Sequence, residues 1–270
     1  MGSRVGQPAR TRVLPVIARP LFISPHLDDV ALSCGGFVAQ RAAVGDRPVV
    51  ATVFTRKPGR AVPLSPIARS WHLAWGGGDV WRRRQQEDRA ACKILGAKPV
   101  WLDYPDAIYR PRPEEFHQWH ATDTLLSKKL ARELVALWTH YDGPTVYLPL
   151  AAWGDSGTHI DHRICSGMGT TLRKAGAEVW FYEDIPYAIH GRDRAEIDPR
   201  LSPRVIDVTQ ELDARLSASA CYGSQLESIF SGLGPLREVI QRYAGALLPG
   251  GYGERFWGRR PAGINCASRQ

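Results

Sequence analysis

The chain has 270 residues, of which 44% are hydrophobic and 23% are charged, and its formal net charge is +8 at pH 7. These fractions are ordinary for a globular protein, and no apolar run reaches the roughly 18 residues that a membrane span requires. The positive charge comes mostly from dispersed arginines, so nucleic-acid binding is not expected, whereas an anionic small substrate stays open. The five cysteines are scattered and form no CxxC pair, which disfavours disulfides and predicts a cytoplasmic location.

The first residues differ in composition from the rest of the chain. Residues 1–18 are rich in arginine, proline and glycine and lack periodicity, so we predict a flexible basic arm. Residues 19–270 are predicted to form a single domain with a C-terminal extension from about residue 190. Strands are predicted at 19–24, 48–55, 99–104, 145–150, 178–183 and 204–208. Helices are predicted at 30–44, 80–95, 122–141, 159–175, 210–225 and 235–247.

Three long connecting segments fall at about 56–79, 105–120 and 150–158. Connections of this length within a compact domain are usually functional, so we predict that they form substrate loops. They contain Trp75 and Trp153, and aromatic faces suit sugar rings, although packing inside the loops would explain each tryptophan as well. Exposed aromatic side chains also leave peripheral contact with a membrane surface open.

Strands that alternate with helices predict an α/β fold of the Rossmann-like, doubly wound type, with a mainly parallel sheet and helices on both faces. Right-handed crossovers would place the first three strands in the order 3-2-1 and the fourth strand beside the first. Because the strand order reverses at that point, the residues that follow the first and fourth strands should meet in one crevice. No GxGxxG sequence follows the first strand, so a bound dinucleotide is not expected.

Histidines and aspartates occur at both of these strand ends. His26 and Asp29 follow the first strand, and His162 follows the fourth. Imidazole and carboxylate are good zinc ligands, and two histidines with one carboxylate leave a fourth position for water. We therefore predict that these three residues bind one zinc ion per chain, although another divalent ion would also suit them.

Further acid and base groups flank the predicted ligands. Asp28 cannot easily bind the same ion as its neighbour, so it is the candidate general base. His159 would face the same side of a helix as His162, where it would stabilise an oxyanion or protonate a leaving amine. Asp161 would orient a histidine. Helix capping explains each aspartate separately, but it does not explain two such clusters at neighbouring strand ends.

These motifs resemble those of the PIG-L/LmbE-like zinc-dependent N-deacetylases. The matching residues are Pro25-His26-Leu27-Asp28-Asp29, Gly35-Gly36, Arg84-x-x-Glu87, Asp103-Tyr104-Pro105-Asp106 and His159-Ile160-Asp161-His162. The commonest first motif of the family reads HPDDE, whereas this chain has Leu27 and Val30 at the differing positions. That form is more similar to the branch that acts on secondary-metabolite glycosides. Some members have a tyrosine where this chain has Gly157.

The resemblance implies a Rossmann-like fold, a His-Asp-His zinc site and removal of the N-acetyl group from an N-acetylglucosamine unit. It implies that His26, Asp29 and His162 bind the ion and that Asp28 is the general base, as the sequence pattern also predicts. It also implies that Arg84 and Asp106 bind substrate, and that Tyr187, in a family-like segment after the fifth strand, lines the pocket.

The expected substrate is an N-acetylated glycoside, with an antibiotic precursor as the first choice, and the expected step is attack of zinc-bound water on the acetamide carbonyl. A glycolipid and a thiol-cofactor precursor remain as alternative substrates. A metal-dependent phosphoesterase is a second hypothesis, but it would require ligands for two ions. A binding protein without activity is a third. The sequence contains no GxSxG motif, which disfavours a serine nucleophile, and it leaves the oligomeric state open.

Overall fold

The computed structural model describes residues 18–59, 63–152, 158–190 and 197–259. The predicted arm therefore lies outside the described residues except for its last position, and Trp153 lies outside them as well. The division into an arm and a single domain stays a prediction. Among the helices of the described residues, none is both long enough and apolar enough to cross a bilayer.

Seven strands and nine helices are present in the described part of the chain. The strands are β1 Leu21–Ser24, β2 Val49–Thr52, β3 Lys98–Trp101, β4 Val146–Pro149, β5 Val179–Tyr182, β6 Leu201–Asp207 and β7 Gly253–Arg259. The helices are α1 Asp29–Ala43, α2 Pro66–Ala74, α3 Val80–Ile94, α4 Ala121–His140, α5 Ile160–Lys174, α6 Tyr187–His190, α7 Leu212–Ala220, α8 Gly223–Ile229 and α9 Leu236–Leu247.

The strands form one sheet in the order β3-β2-β1-β4-β5-β7-β6. The first five strands are parallel, whereas β7 is antiparallel to both of its neighbours. The predicted order 3-2-1 with the fourth strand beside the first is confirmed, as is the mainly parallel α/β fold. Because β1 and β4 are adjacent and parallel, their carboxyl ends open into the same crevice.

The two faces of the sheet pack into separate apolar clusters. Leu21 and Ile23 of β1 belong to one cluster and Phe22 belongs to the other, as the two-residue period of a strand requires. All four residues of β1 are buried, because helices cover the sheet on both sides. The strand that leads to the first motif is therefore held firmly on each face.

The segment 56–79 was expected to be irregular throughout, and this was wrong because it contains α2. The hydroxyl of Ser65 accepts a hydrogen bond from the backbone N–H of Ala68, and Pro66 occupies the first helical turn. Proline is favourable at that position since its missing N–H would have no partner there. Ala68 is buried in one apolar cluster with Trp75, and this contact packs the helix against the rest of the fold. The segment 105–120 contains only two short 3₁₀ turns, Ala107–Tyr109 and Pro113–Glu115.

The C-terminal part departs further from the prediction. The predicted helix at 210–225 is divided between a 3₁₀ turn, α7 and α8, and strand β7 was not predicted at all. Glycines at both ends of β7 gave it the composition of a loop. One of them is required by packing, because a Cβ atom at Gly258 would lie 2.5 Å from Cε3 of Trp180 on the neighbouring strand.

Candidate metal centre

The crevice between β1 and β4 brings the predicted metal ligands together. His26, Asp29 and His162 each offer a ligand atom, and these atoms lie within 4.8 Å of one another. Nε2 of His162 is 3.3 Å from Asp29 Oδ1, and Nδ1 of His26 is 3.5 Å from Asp29 Oδ2. The two imidazole centroids are 5.5 Å apart although the residues are far apart in sequence. The predicted convergence of the two strand ends is therefore confirmed.

Each of the two histidines contacts a second carboxylate through the ring nitrogen that does not face Asp29. Asp184 Oδ1 lies 2.6 Å from Nδ1 of His162, and Asp161 Oδ2 lies 3.0 Å from Nε2 of His26. Each of these carboxylates accepts the hydrogen of the nitrogen that it faces, so in the neutral form of each ring the other nitrogen has the lone pair. Those lone-pair nitrogens are the two that face Asp29. Both imidazoles therefore have the tautomer that a metal ligand requires.

The spacing of the three ligands suits a small divalent cation. Zinc bonds of about 2.0–2.1 Å in a tetrahedron separate neighbouring ligand atoms by about 3.3 Å. Nε2 of His162 lies 3.3 Å from Asp29 Oδ1 and Nδ1 of His26 lies 3.5 Å from Asp29 Oδ2, so one histidine faces each oxygen of the carboxylate at about this distance. No lysine or arginine ion pair to Asp29 occurs among the described residues. The residues present therefore fit a divalent ion.

The electrostatics of the crevice also favour a cation. Burial alone would lower the pKa of His162, but Asp29 and Asp184 outweigh it and raise the pKa to about 9. Burial opposes ionisation of Asp29 as well, yet His162 and His26 hold its pKa below the usual range. The carboxylates thus create a negative field at the lone-pair nitrogens, where either a proton or a metal ion would be stabilised.

Asp28 lies at the start of α1 beside the three ligands. Its backbone φ of 155° is uncommon for a residue with a side chain, and such conformations are often found at functional sites. Its side chain makes no capping hydrogen bond to α1, so helix capping does not explain it. Burial, followed by the nearby charge of Asp29, raises the pKa of Asp28 to about 8.

His159 precedes α5 on the same side of the crevice. Its ring is 4.9 Å from that of His26, and its Nδ1 accepts a hydrogen bond of 3.2 Å from the backbone N–H of Asp161. The hydrogen of the neutral ring is therefore on Nε2. Burial is the main cause that lowers the pKa of His159, to about 3, which favours the neutral ring.

A second group of donor atoms adjoins the first and shares His26. It comprises Asp106, His159 and Asp161, again with ligand atoms within 4.8 Å. The guanidinium of Arg110 already faces this group, with Nη2 at 2.5 Å from Asp161 Oδ1. Because the arginine supplies the positive charge, the second group does not provide an independent site for an ion in the described residues.

The predicted substrate residues lie on different sides of the crevice. Arg84 and Asp106 line one pocket together with Trp75, whereas Tyr187 packs its ring edge-on against His162 at 5.0 Å between centroids. Trp75 has only 6% of its surface exposed and stacks on the Arg84 guanidinium at 4.5 Å. The expectation that Trp75 offers an open face to a sugar ring is therefore corrected, because that face is occupied by the arginine.

Two functional residues were missed from the sequence. Asp184 was not assigned a role, although it follows β5, and the rule that carboxyl ends of parallel strands share one edge would have indicated it. No feature of the sequence indicated a role for Arg110 in the same way. It follows a 3₁₀ turn and lies 51 residues before Asp161, so only the fold brings the two together.

A doubly wound sheet with a His-Asp-His ligand set at its switch point is the arrangement of a metal-dependent α/β enzyme. The PIG-L family model, described as GlcNAc-PI de-N-acetylase, matches residues 21–172. The chain therefore belongs to the PIG-L family, which confirms the resemblance found in the sequence.

Individual relatives extend the similarity beyond the family match. A 2'-N-acetylparomamine deacetylase of Streptomyces fradiae is 30% identical to this chain in an alignment that covers 91% of each of the two chains. Among solved structures, the A40926 pseudoaglycone deacetylase Dbv21 is 29% identical, with a TM-score of 0.77 over 92% of this chain and 99% of that one. The zinc-inhibited form of teicoplanin deacetylase Orf2 is 28% identical, with a TM-score of 0.79 over 91% of this chain and all of that one.

Proposed function

We propose that this protein is a divalent-metal-dependent deacetylase that removes the N-acetyl group from an N-acetylglucosamine unit of a natural-product glycoside. The observation that carries the proposal is the convergence of three ligand atoms on one point, with two further acid and base groups beside them. The relatives that match nearly the whole chain are named for the deacetylation of antibiotic precursors. We expect one zinc ion per chain and a cytoplasmic location, which the free thiols of the described cysteines suit.

His26, Asp29 and His162 would hold the ion, with Asp161 and Asp184 fixing the two imidazoles. When bound, the ion would lower the pKa of a coordinated water and polarise the acetamide carbonyl. The pKa of Asp28, raised to about 8, lies near neutral pH, as suits a group that must accept a proton and then return it, and the positive charge of a bound ion would favour the carboxylate form that acts as the base. Asp28 takes a proton from the attacking water and returns it to the nitrogen as the C–N bond breaks. The products are acetate and a free amine.

His159 donates a hydrogen bond to the oxyanion in this mechanism. Its Nδ1 already accepts from the backbone, so the Nε2–H is the group that it can present to substrate. A neutral donor stabilises the negative charge that develops on the carbonyl oxygen without supplying a proton to the leaving amine. That second task falls to Asp28. Of the two roles predicted for His159, the hydrogen-bond geometry thus supports the oxyanion role.

One hydroxyl group of the sugar would enter the pocket that Arg84 and Asp106 line, because its volume of about 10 Å³ is too small for the whole ring. Nε of Arg84 is buried and has no hydrogen-bond partner among the described residues, and a hydroxyl oxygen of a sugar would satisfy it. Asp106 Oδ1 accepts from the backbone N–H of Ile108, and Oδ2, which lies 3.6 Å from Nε2 of His26, would also accept from a sugar hydroxyl group. Tyr187 would close the opposite side beside His162.

The test is acetate release from a panel of N-acetylated glycosides, measured with mass spectrometric detection of the deacetylated product. The panel contains a glycopeptide pseudoaglycone, a 2'-N-acetylated aminoglycoside, a glycolipid and a thiol-cofactor precursor, each with and without a chelator. We expect chelator-sensitive loss of acetyl from one of the first two. Exclusive turnover of the glycolipid or the thiol precursor would reassign the substrate. Phosphate release from model phosphoesters, without acetate release, would refute the deacetylase proposal.

A further inference from the structure

Helix α1, which begins with Asp28 and Asp29, is broken in its interior. Cys34 has φ −143° and ψ 26°, so the helix consists of a short segment that ends near residue 33 and a longer one that follows. The short segment carries the candidate base and the candidate metal ligand. At a helix end the backbone groups lose their partners, and a segment of this length is not stable alone. Something outside the helix must therefore fix it.

Two residues far along the chain satisfy the backbone at this break. Arg215 of α7 donates from Nε and Nη2 to the carbonyl oxygen of Leu32, at 3.2 and 2.5 Å. Glu254 of β7 accepts from the N–H groups of Gly36 and Phe37, at 2.9 and 2.8 Å. Arg215 thus ends the first segment and Glu254 begins the second.

The two residues also contact each other. Nη1 of Arg215 lies 3.2 Å from Glu254 Oε1, and both side chains are almost completely buried. A buried ion pair stabilises a fold poorly, because desolvation of the two charges offsets their attraction. An apolar pair of the same volume would serve stability as well or better. It would not, however, satisfy the backbone groups at the break in α1.

The Gly35-Gly36 pair of the sequence makes room for this contact. A Cβ atom at Gly36 would lie 2.9 Å from Glu254 Oε1, and a Cβ atom at Gly35 would lie 3.3 Å from Cγ of Arg215. Neither glycine needs a left-handed backbone, since neither has a positive φ. Their role is therefore to allow the close approach of the two charged side chains.

We propose that Arg215 and Glu254 are positioning residues that set the orientation of the first segment of α1, and thereby the position of Asp28 and Asp29 relative to His162. Both residues lie beyond the part of the chain that the family model matches, residues 21–172. The proposal rests on the metal site of the proposed function, and it assigns to the C-terminal part a direct effect on that site.

The first test replaces the carboxylate without changing its size, in Glu254→Gln. The amide can accept only one of the two backbone hydrogen bonds, so the first segment of α1 should move. We expect zinc affinity, measured by competition with a chromophoric chelator, to fall by about 10-fold to 100-fold. In the metal-free protein, hydrogen exchange should accelerate at residues 29–33 and stay unchanged in α3. The control is Tyr222→Phe, which removes a buried hydrogen bond to Asp88 of α3 and no hydrogen bond to α1.

A second variant covers the case in which Glu254→Gln does not fold. Gly36→Ala keeps both charges but introduces a Cβ atom that would lie 2.9 Å from Glu254 Oε1 and 2.9 Å from Cβ of Val208. Its control is Gly167→Ala in α5, where a Cβ atom would meet nothing within 4 Å. We expect weaker zinc binding and faster exchange at residues 29–33 for Gly36→Ala alone.

The outcomes separate this inference from the proposed function. If the folded Glu254 and Gly36 variants bind zinc as tightly as the wild type, with unchanged exchange, the two residues have only a structural role and the inference is wrong. The same conclusion follows if the controls weaken zinc binding equally. If the wild type itself binds no divalent ion, the metal site of the proposed function is wrong, whatever the exchange measurements give.

Discussion

The part of the chain that the family model matches and the part that follows it contribute different things to the same site. Residues 21–172 supply the three candidate ligands, the candidate base and the candidate oxyanion donor. The following part supplies Asp184, which contacts the candidate ligand His162, and Arg215 and Glu254, which contact the backbone of α1. The candidate catalytic groups thus lie in short motifs at strand ends, whereas some of the contacts that surround those motifs come from residues remote in sequence.

The two candidate histidine ligands show the same difference on a smaller scale. The carboxylate behind His26 is Asp161, which lies one residue before His162 in the second motif. The carboxylate behind His162 is Asp184, which lies beyond the next strand. The second motif therefore links the ends of β1 and β4 directly through Asp161. Asp184, which follows β5, supplies the carboxylate that contacts His162. Variants of residues in the two motifs, and variants of residues that follow β5, test which of these residues affect metal binding, turnover or the position of the ligands.

The largest effect is expected for His162→Ala. Loss of one of three ligands should abolish zinc binding and turnover together. Zinc at about 100 times its Kd should stabilise the wild type by about 2.7 kcal/mol, a gain that thermal unfolding with and without zinc would measure and that this variant should lack. The control is His140→Ala, on the exposed end of α4. A His162→Ala protein that still binds zinc at the wild-type level would remove this residue from the ligand set.

The neighbours Asp28 and Asp29 should differ in how the same substitution affects zinc binding. Asp28→Asn should keep its zinc and lose turnover by about 10²-fold to 10⁴-fold, the usual contribution of a general base. Asp29→Asn should lose the metal as well. Metal analysis of the purified variants, combined with kcat, distinguishes the two. Equal loss of zinc in both variants would show that Asp28 is a ligand and not the base.

The arrangement of the sheet could be predicted because a few physical rules determine it. Alternation of strands and helices with right-handed crossovers gives the order β3-β2-β1-β4, and that order is observed. The limits of the strands were less predictable, as the prediction at 48–55 against the observed Val49–Thr52 shows. Strand β7 could not be found because its glycines give it the composition of a loop, and only its partners β5 and β6 make it a strand.

The candidate ligands could be predicted because they directly follow strands whose order was predictable. Asp184 could have been found by the same rule, since β5 lies beside β4. Arg110, Arg215 and Glu254 could not, because each acts through a contact between segments that no local pattern relates. The neutral state of His159 was equally inaccessible, since it results from burial and from a backbone hydrogen bond.

Asp184→Asn should have a smaller effect than loss of a ligand. The amide can still accept from His162 Nδ1, but without a charge it holds the imidazole less firmly, and zinc affinity should fall by about 10-fold to 100-fold. The control is the adjacent Glu183→Gln, whose contacts are to Tyr243, Arg255 and Trp257 and not to the site. Chelator competition on both proteins measures the difference. Equal zinc affinity in the two variants would mean that Asp184 does not support the metal centre.

The smallest effect is expected for Arg84→Lys. Lysine keeps the charge but lacks the planar guanidinium that stacks on Trp75 and lacks the Nε–H donor. A hydrogen bond to substrate is worth about 0.5–1.5 kcal/mol, so KM should rise by about 2-fold to 13-fold while kcat changes little. Helix α3 offers a matched control in Arg89→Lys, because Arg89 stacks on Trp101 at the same 4.5 Å but lies outside the pocket. Steady-state kinetics on the best substrate of the panel compare the two. If kcat falls in Arg84→Lys while KM is unchanged, Arg84 acts on the reacting centre through Asp28, from which its Nη2 is 3.9 Å away, rather than on substrate binding.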